Sequence, residues 1–294
     1  MDNAAALPGY LSLTSTFDVA SGSEVKYNFL TIFSTAAWGL GYFGMPHILV
    51  RFMAIEDEKK LVLSRRIASV WVVIAMTAGV LIGIVGLGMT KAGALETLTG
   101  SNSETIIVRI AGIISQHNAL TALIAGIILA GILAATMSTA DSQMLAAASG
   151  VSQNIVHDFL KIKISEKTNL LIARLTIVGI AIVSIFLARN PDSSVFKIVS
   201  FAWAGFGGAF GAVVLCSLFW KRCNLAGAIA GIISGGATVF IWKYLIRPLG
   251  GILDIYELLP AFIVSLIFII VVSLLTKAPD EEIVREFEAA GKKA

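Results

Sequence analysis

Residues 68–90 read ASVWVVIAMTAGVLIGIVGLGMT, and this stretch decides the fold class because none of its side chains is charged. A bilayer core about 30 Å thick requires about 20 apolar residues of helix. In lipid the backbone groups must be satisfied within the segment, and the two-residue alternation of a barrel strand is absent. The stretch therefore predicts a membrane-spanning helix.

The rest of the chain repeats this pattern. Of 294 residues, 57% are hydrophobic and 14% are charged, and the mean hydropathy is +0.87. A soluble domain averages about 25% charged residues. The sequence predicts an all-α integral membrane protein, with an external amino-terminal segment over 1–27, a transmembrane bundle over 28–277 and a cytoplasmic tail over 278–294. About seven transmembrane helices are expected, at 28–49, 68–90, 119–140, 170–188, 198–220, 223–242 and 258–276.

The positive charges predict an orientation. Lysine and arginine accumulate in cytoplasmic loops, and seven spans place successive loops on alternate sides. Roughly two thirds of the 22 lysines and arginines fall on one side, in loop 51–66, loop 161–174, turn 221–222 and the tail. The amino terminus is therefore predicted outside and the carboxyl terminus in the cytoplasm. Stretch 91–117 is predicted external, with a surface or re-entrant helix over 104–116.

The histidines and cysteines predict no site chemistry. His47, His117 and His157 are scattered without ligand spacing, so no transition-metal site is expected. Cys216 and Cys223 flank a short predicted turn and are interpreted as two reduced thiols. The sequence predicts no cofactor, no nucleic-acid partner and no enzymatic activity.

Residues 39–44, GLGYFG, spell G-x-G-x-x-G, the fingerprint of dinucleotide-binding enzymes. That motif works only after a strand, within a soluble βαβ unit, and its apolar surroundings here oppose a nucleotide. Three glycines and Pro46 within eight residues instead predict a broken helix. In lipid such a break is tolerated where the freed backbone lines a cavity or meets other protein, and secondary transporters bind solute at such breaks. A kinked packing helix is the alternative.

Three side chains in and beside this motif lie at four-residue intervals. Trp38, Tyr42 and Pro46 are predicted to share one helical face, suited to a small, partly apolar solute.

A second glycine-rich stretch, FAWAGFGGAFG, carries Gly207 and Gly211 as a small-xxx-small ridge, with Gly205 and Gly208 widening it. Close helix packing is the expected role of that ridge, and a gating helix is the alternative.

A polar cluster interrupts the apolar run that begins at Ala119. The run is expected to form one helix of about 30 residues, in which S138-T-A-D-S142 is buried toward the cytoplasmic half rather than placed in a loop. Ala135, Ser138 and Thr139 are spaced i, i+3, i+4, so a carbonyl and two hydroxyls can converge. Such oxygen ligands suit sodium; the alternative is that the hydroxyls bond to their own helix. Asp141 lies off this face.

Three strings, WGLGYFGMPHILVRFMA, AATMST and SFAWAGFGGAFG, resemble the sodium/solute symporter family in order and spacing, and most closely its sodium/proline symporters. The resemblance implies a leucine-transporter-like bundle of inverted repeats, of which this chain would form the carboxyl-terminal part. The missing amino-terminal helices of the same transporter would then be its partner. They would supply the remaining sodium ligands, so the chain alone is not expected to transport.

The resemblance also implies roles for individual residues. Trp38, Tyr42 and Pro46 correspond to positions tied to proline binding, whereas Met45 stands where those proline transporters carry glutamine. Ala135, Ser138 and Thr139 correspond to sodium ligands. The expected function is sodium-coupled uptake of L-proline by a multi-pass protein of the plasma membrane. A symporter of another small organic solute and a non-transporting membrane sensor module are the alternatives, but nothing after Lys277 resembles a signalling domain.

Overall fold

The computed structural model describes residues 8–10, 12–18, 21–162, 164–189 and 194–293. The chain divides into two compact units. One runs through Ile55–Val195, and the other joins Pro8–Ala54 to Phe196–Ala294.

Helices make up most of the described chain. The strands and α-helices are β1 (Ser15–Asp18), β2 (Ser23–Lys26), α1 (Phe29–Ala36), α2 (Trp38–Gly41), α3 (Pro46–Met53), α4 (Lys60–Lys91), α5 (Ile106–Ser115), α6 (Ala119–Ser149), α7 (Glu166–Ala188), α8 (Val195–Phe206), α9 (Ala212–Phe219), α10 (Leu225–Ile241), α11 (Leu258–Leu275) and α12 (Glu281–Lys293). Tighter 3-10 helices span Tyr42–Gly44, Gly100–Thr105, Arg247–Leu249 and Gly251–Leu253, and wider π-helices span Gly150–Phe159, Gly207–Gly211 and Trp242–Ile246.

Capping side chains explain where three of the long helices begin. Asn118, Ser165 and Asn224 precede α6, α7 and α10, and each accepts a hydrogen bond from a backbone N–H of the first turn. The first N–H groups of a helix have no partner within the helix, and such caps supply one. These three helices therefore begin at sequence signals that are independent of hydropathy.

Six helical stretches of the described residues are long and apolar enough to cross a membrane. They are Lys60–Lys91, Ala119–Phe159, Glu166–Ala188, Val195–Phe219, Leu225–Leu249 and Leu258–Leu275. Each of these stretches overlaps one of the predicted spans, six of the seven in all. The predicted all-α integral membrane protein is confirmed. The other predicted span, 28–49, is divided into α1, α2, a 3-10 turn and α3, so none of its pieces reaches that length.

A row of glycines lets α10 approach its neighbours closely. A Cβ placed on Gly235 would lie 2.0 Å from the backbone oxygen of Gly208, and one on Gly231 would lie 2.3 Å from Cγ1 of Ile269. The hydroxyl of Ser265 on α11 donates to the carbonyl of Gly231 at 2.9 Å. Gly227, Gly231 and Gly235 form a G-x-x-x-G-x-x-x-G row, a spacing typical of packed membrane helices that sequence analysis did not use.

The predicted glycine ridge of span five is confirmed in part. Gly207, Gly208 and Gly211 lie in or border the π-helix between α8 and α9, and a Cβ on any of them would meet another element within about 3 Å. Gly205 has no atom within 4 Å of its Cβ position. The expectation that Gly205 widens the ridge is therefore wrong, because the π-turn starts only after Phe206.

Peripheral elements complete the chain. The predicted helix over 104–116 is present as a 3-10 turn that leads into α5, and the tail forms α12. Strands β1 and β2 pair antiparallel, with Ser15 opposite Lys26, which adds a short hairpin that sequence analysis did not predict. The hairpin has only four residues per strand, so it offers little periodicity to detect.

Candidate functional site

The helix that carries the predicted substrate residues is broken, as the sequence predicts. After α2 the chain tightens into the 3-10 turn Tyr42–Gly44, and Met45 is extended with φ −82° and ψ 112°. Pro46 then opens α3. Proline lacks a backbone N–H and disfavours helical backbone in the preceding residue, which explains the break at Met45. The expectation of one continuous face is wrong for Pro46, because the break separates it from the helix that carries Trp38.

Two of the three motif glycines are required by close packing. A Cβ on Gly41 would lie 2.0 Å from Nε1 of Trp203, and one on Gly44 would lie 2.3 Å from the carbonyl oxygen of Phe206. Gly39 has open space around it. The motif follows the helical residues of α1 rather than a strand, so it lacks the context of a nucleotide site. Packing against α8 accounts for Gly41 and Gly44.

Trp38 lies within a stack of aromatic rings. Its ring centroid is 5.4 Å from that of Phe196, 5.5 Å from that of Trp203 and 5.8 Å from that of Tyr256, with interplanar angles of 10° to 19°. Nε1 of Trp203 also donates to the carbonyl of Trp38 at 3.0 Å. Tyr42 meets Trp203 edge-on at 4.7 Å and keeps 51% of its surface exposed. The face thus combines a fixed indole with an accessible phenol.

The predicted sodium ligands lie together on α6. The hydroxyl of Thr139 donates to the carbonyl of Ala135 at 3.2 Å, and the hydroxyl of Ser142 donates to the carbonyl of Ser138 at 2.9 Å. Such bonds are what the helix-only alternative expects. A hydroxyl that donates still has lone pairs to offer a cation, and a carbonyl oxygen has two. The geometry therefore suits both interpretations of these oxygens.

The surroundings of this segment differ from expectation. The S138-T-A-D-S142 stretch is helical, as predicted, but Ala135, Ser138, Thr139 and Asp141 are all exposed. Within its unit α6 packs against α5 and α7, and neither helix covers this face. The expectation of a buried polar cluster is therefore wrong for the described chain.

The two predicted sites fall in different compact units. Trp38, Tyr42 and Pro46 belong to the unit formed by Pro8–Ala54 and Phe196–Ala294, and the oxygens of α6 belong to Ile55–Val195. A shallow groove of about 360 Å³ lies along α4, lined by Arg66, Ile67, Val70, Trp71 and Ile74. None of the predicted site residues borders that groove.

Tyr256 and Glu257, which were not predicted as site residues, lie directly before α11. Burial, together with the negative charge of Glu257, raises the pKa of Tyr256 above its ordinary value. Its protonated hydroxyl donates to the carbonyl of Ser200 at 2.7 Å. An acidic residue at the start of an uncharged span, ten positions after Arg247, was the available signal.

Comparisons with known proteins agree on one family. The model of the sodium:solute symporter family matches residues 9–235. The chain is 39% identical to the sodium/proline symporter of Haemophilus influenzae and 40% identical to that of Escherichia coli, each over 90% of this chain and 51% of the relative. It is 40% identical to the osmoregulated proline transporter OpuE of Bacillus subtilis, over 92% of this chain and 52% of the relative.

The comparison covers only part of each relative. The chain spans about half the length of the curated relatives it matches. No solved structure matches it significantly. The family match extends from the hairpin region into α10 and includes both the broken helix and the oxygen-bearing segment of α6. The chain therefore belongs to the sodium:solute symporter family.

Proposed function

We propose that the complete gene product that contains this chain takes up L-proline together with sodium, as a secondary active symporter of the plasma membrane. The observation that carries this proposal is the broken helix at Met45 with its aromatic face, in a chain about 40% identical to proteins named for proline transport. A break of this kind leaves backbone groups available to a solute near the middle of a membrane.

Each predicted site residue has a proposed role. Trp38 and Tyr42 contact the solute through their rings, and Pro46 maintains the break that gives the solute access to the backbone. Ala135 offers a carbonyl and Ser138 and Thr139 offer hydroxyls to sodium, which is cargo rather than a resident cofactor. Support comes from the aromatic stack around Trp38 and from the position of Ala135, Ser138 and Thr139 on neighbouring turns of α6.

The identity of residue 45, a methionine, favours a different solute. Met45 lies at the break with 5% of its surface exposed, and a thioether there offers neither the donor nor the strong acceptor of an amide. A symporter for another small organic solute is therefore the second candidate function.

Uptake by cells that express the complete gene product separates these functions. Radiolabelled proline should accumulate only when sodium is present, and unlabelled proline should compete better than other amino acids or small organic acids. If a different solute inhibits the sodium-dependent uptake more strongly than proline does, that solute would replace proline as the proposed cargo. Absence of sodium-dependent uptake of any of these solutes, at normal membrane abundance, would reject symport.

We further propose that loop 51–66 is cytoplasmic and stretch 91–117 external, with lipid around the apolar spans. Ser103 is exposed in the 3-10 turn before α5, and Ser64 is exposed in the first turns of α4. In a background without the free thiols of Cys216 and Cys223, Ser103→Cys should react with an impermeant reagent in intact cells. The matched variant Ser64→Cys should react only after permeabilisation. The reverse pattern would invert the topology.

A further inference from the structure

Tyr256 connects three parts of its unit around Trp38. Its ring stacks on Trp38 with the centroids 5.8 Å apart and the planes 19° from parallel. Its backbone N–H donates to the hydroxyl of Ser34 on α1 at 2.6 Å, and its own hydroxyl donates to the carbonyl of Ser200 on α8 at 2.7 Å. Tyr256 thus contacts α1 through its backbone, and Trp38 and α8 through its side chain.

The next residue fixes the position of Tyr256. Glu257 is 2% exposed, and Arg247 donates to one of its carboxylate oxygens at 3.0 Å while the ammonium of Lys243 lies 3.8 Å from the other. Arg247 also donates to Asp254 at 2.9 Å, and the ammonium of Lys243 lies 3.5 Å from the ring centroid of Phe201. A buried carboxylate is costly unless it is paired, so breaking either contact disfavours this arrangement.

The broken helix needs such support. Helix α2 has four residues and leads into a 3-10 turn and an extended residue, so regular backbone hydrogen bonds do not hold the Trp38 ring in one orientation. A binding side chain must be held close to its productive geometry by neighbours that are themselves fixed. The rings of Phe196, Trp203 and Tyr256 surround Trp38, and Tyr256 directly precedes the buried carboxylate of Glu257, which pairs with Arg247.

We propose that Tyr256 is a positioning residue for the solute site and that the Arg247–Glu257 ion pair fixes its place. Tyr256 acts through Trp38, whose ring it holds in the orientation that meets the solute. This inference rests on the proposed function, because it requires Trp38 to contact the solute.

Uptake kinetics of the complete gene product test the inference. Tyr256→Leu removes the stacked ring and the hydroxyl and should raise the solute concentration for half-maximal uptake about tenfold. The maximal rate per transporter in the membrane should stay unchanged, which a merely structural role would not predict. Tyr256→Phe, which keeps the ring, should rescue most of the loss and leave a rise of about threefold. Tyr27→Leu is the matched control, since Tyr27 is 41% exposed before α1.

A spectroscopic measurement on the 294-residue chain gives an independent readout. The stacked rings of Trp38 and Trp203 should produce a coupled circular-dichroism band. The signal that is lost in Trp38→Phe measures the size of that band. Tyr256→Leu and Glu257→Gln should reduce that band, and Tyr27→Leu should not.

The outcomes separate the two proposals. If Trp38→Phe raises the half-saturation concentration and Tyr256→Leu does not, the inference is overturned and the proposed site stands. If Trp38→Phe itself leaves solute affinity unchanged, the proposed solute site fails first. If Tyr256→Leu does not reach the membrane, Tyr256→Phe decides: a half-saturation concentration equal to that of the wild type overturns the inference.

Discussion

The broken helix and the oxygen-bearing segment of α6 both interrupt apolar sequence with residues that are not simply hydrophobic, yet only the first breaks its helix, and this chain surrounds the two differently. Around the broken helix, Gly41 and Gly44 lie against α8 and Trp38 lies among three other rings. Along α6, Ala135, Ser138 and Thr139 are exposed. The two units differ in the same way. In the most apolar stretch of α11, 44% of the residues are buried, whereas none are buried in the corresponding stretch of α7.

This difference teaches that the two sites have different requirements. Aromatic rings and close glycine contacts from one compact unit surround Trp38 and Tyr42, which form the proposed solute face. A cation needs several oxygens around it, and α6 offers one row of them. We therefore expect the proposed solute face to respond to substitutions in its own unit, whereas the proposed sodium ligands need further oxygens from outside α6.

The largest expected effect breaks the close packing of the unit that carries the solute face. A Cβ at Gly235 would lie 2.0 Å from a backbone oxygen, so Gly235→Ala should destabilise this unit by about 3 kcal/mol or more. Thermal unfolding of the purified chain and its abundance in the membrane measure this loss. Gly205→Ala is the control, because that position has free space. Equal stability of the two variants would show that close contact at α10 is not needed.

A smaller effect is expected at the accessible ring of the solute face. Tyr42→Ala removes the edge-on contact with Trp203 and the exposed phenol, so it should raise the half-saturation concentration for solute about tenfold. Its sodium dependence should change much less, because Tyr42 lies in the other unit from α6. Uptake by the complete gene product measures both, with Phe43→Ala as the neighbouring aromatic control. A shift confined to sodium dependence would contradict the assigned role.

The smallest effect is expected on the exposed helix. Gly126 and Gly131 of α6 have no neighbouring atom within 4 Å of their Cβ positions. Replacing either with alanine in the 294-residue chain should leave stability unchanged or raise it by up to about 1 kcal/mol, since glycine weakens a helix interior. Thermal unfolding tests this. A marked loss of stability would mean that the contrast between the two units is wrong.

Much of the fold can be predicted from local sequence. Long apolar runs predict the six continuous spans. The glycines with Pro46 predict the break, because proline and lipid each restrict the backbone strongly. The π-helix at Gly207–Gly211 and the hairpin escape such reasoning, since a single extra residue per turn or four residues per strand leave no clear period.

The sites are predictable to a different extent. Ala135, Ser138 and Thr139 are neighbours because helix geometry places i, i+3 and i+4 together. The contact of Tyr256 with Trp38 joins residues far apart in the chain, and only tertiary packing brings them together. Burial of the polar segment 138–142 of α6 was predicted wrongly, because hydropathy indicates that a segment avoids water without indicating whether lipid or protein covers it.

The most direct test of the central claim is the sodium dependence of uptake for Ser138→Ala and Thr139→Ala in the complete gene product. Loss of a cation ligand should weaken sodium binding by at least about 1.5–3 kcal/mol. Each variant should therefore need at least about tenfold more sodium for half-maximal uptake. High sodium should restore most of the solute affinity, because coupling between the two sites is reciprocal. Thr136→Ala is the matched control, since that hydroxyl donates to the Ile132 carbonyl of the same helix at 2.9 Å. Sodium curves for both variants that coincide with that of Thr136→Ala, at equal membrane abundance, would contradict the account.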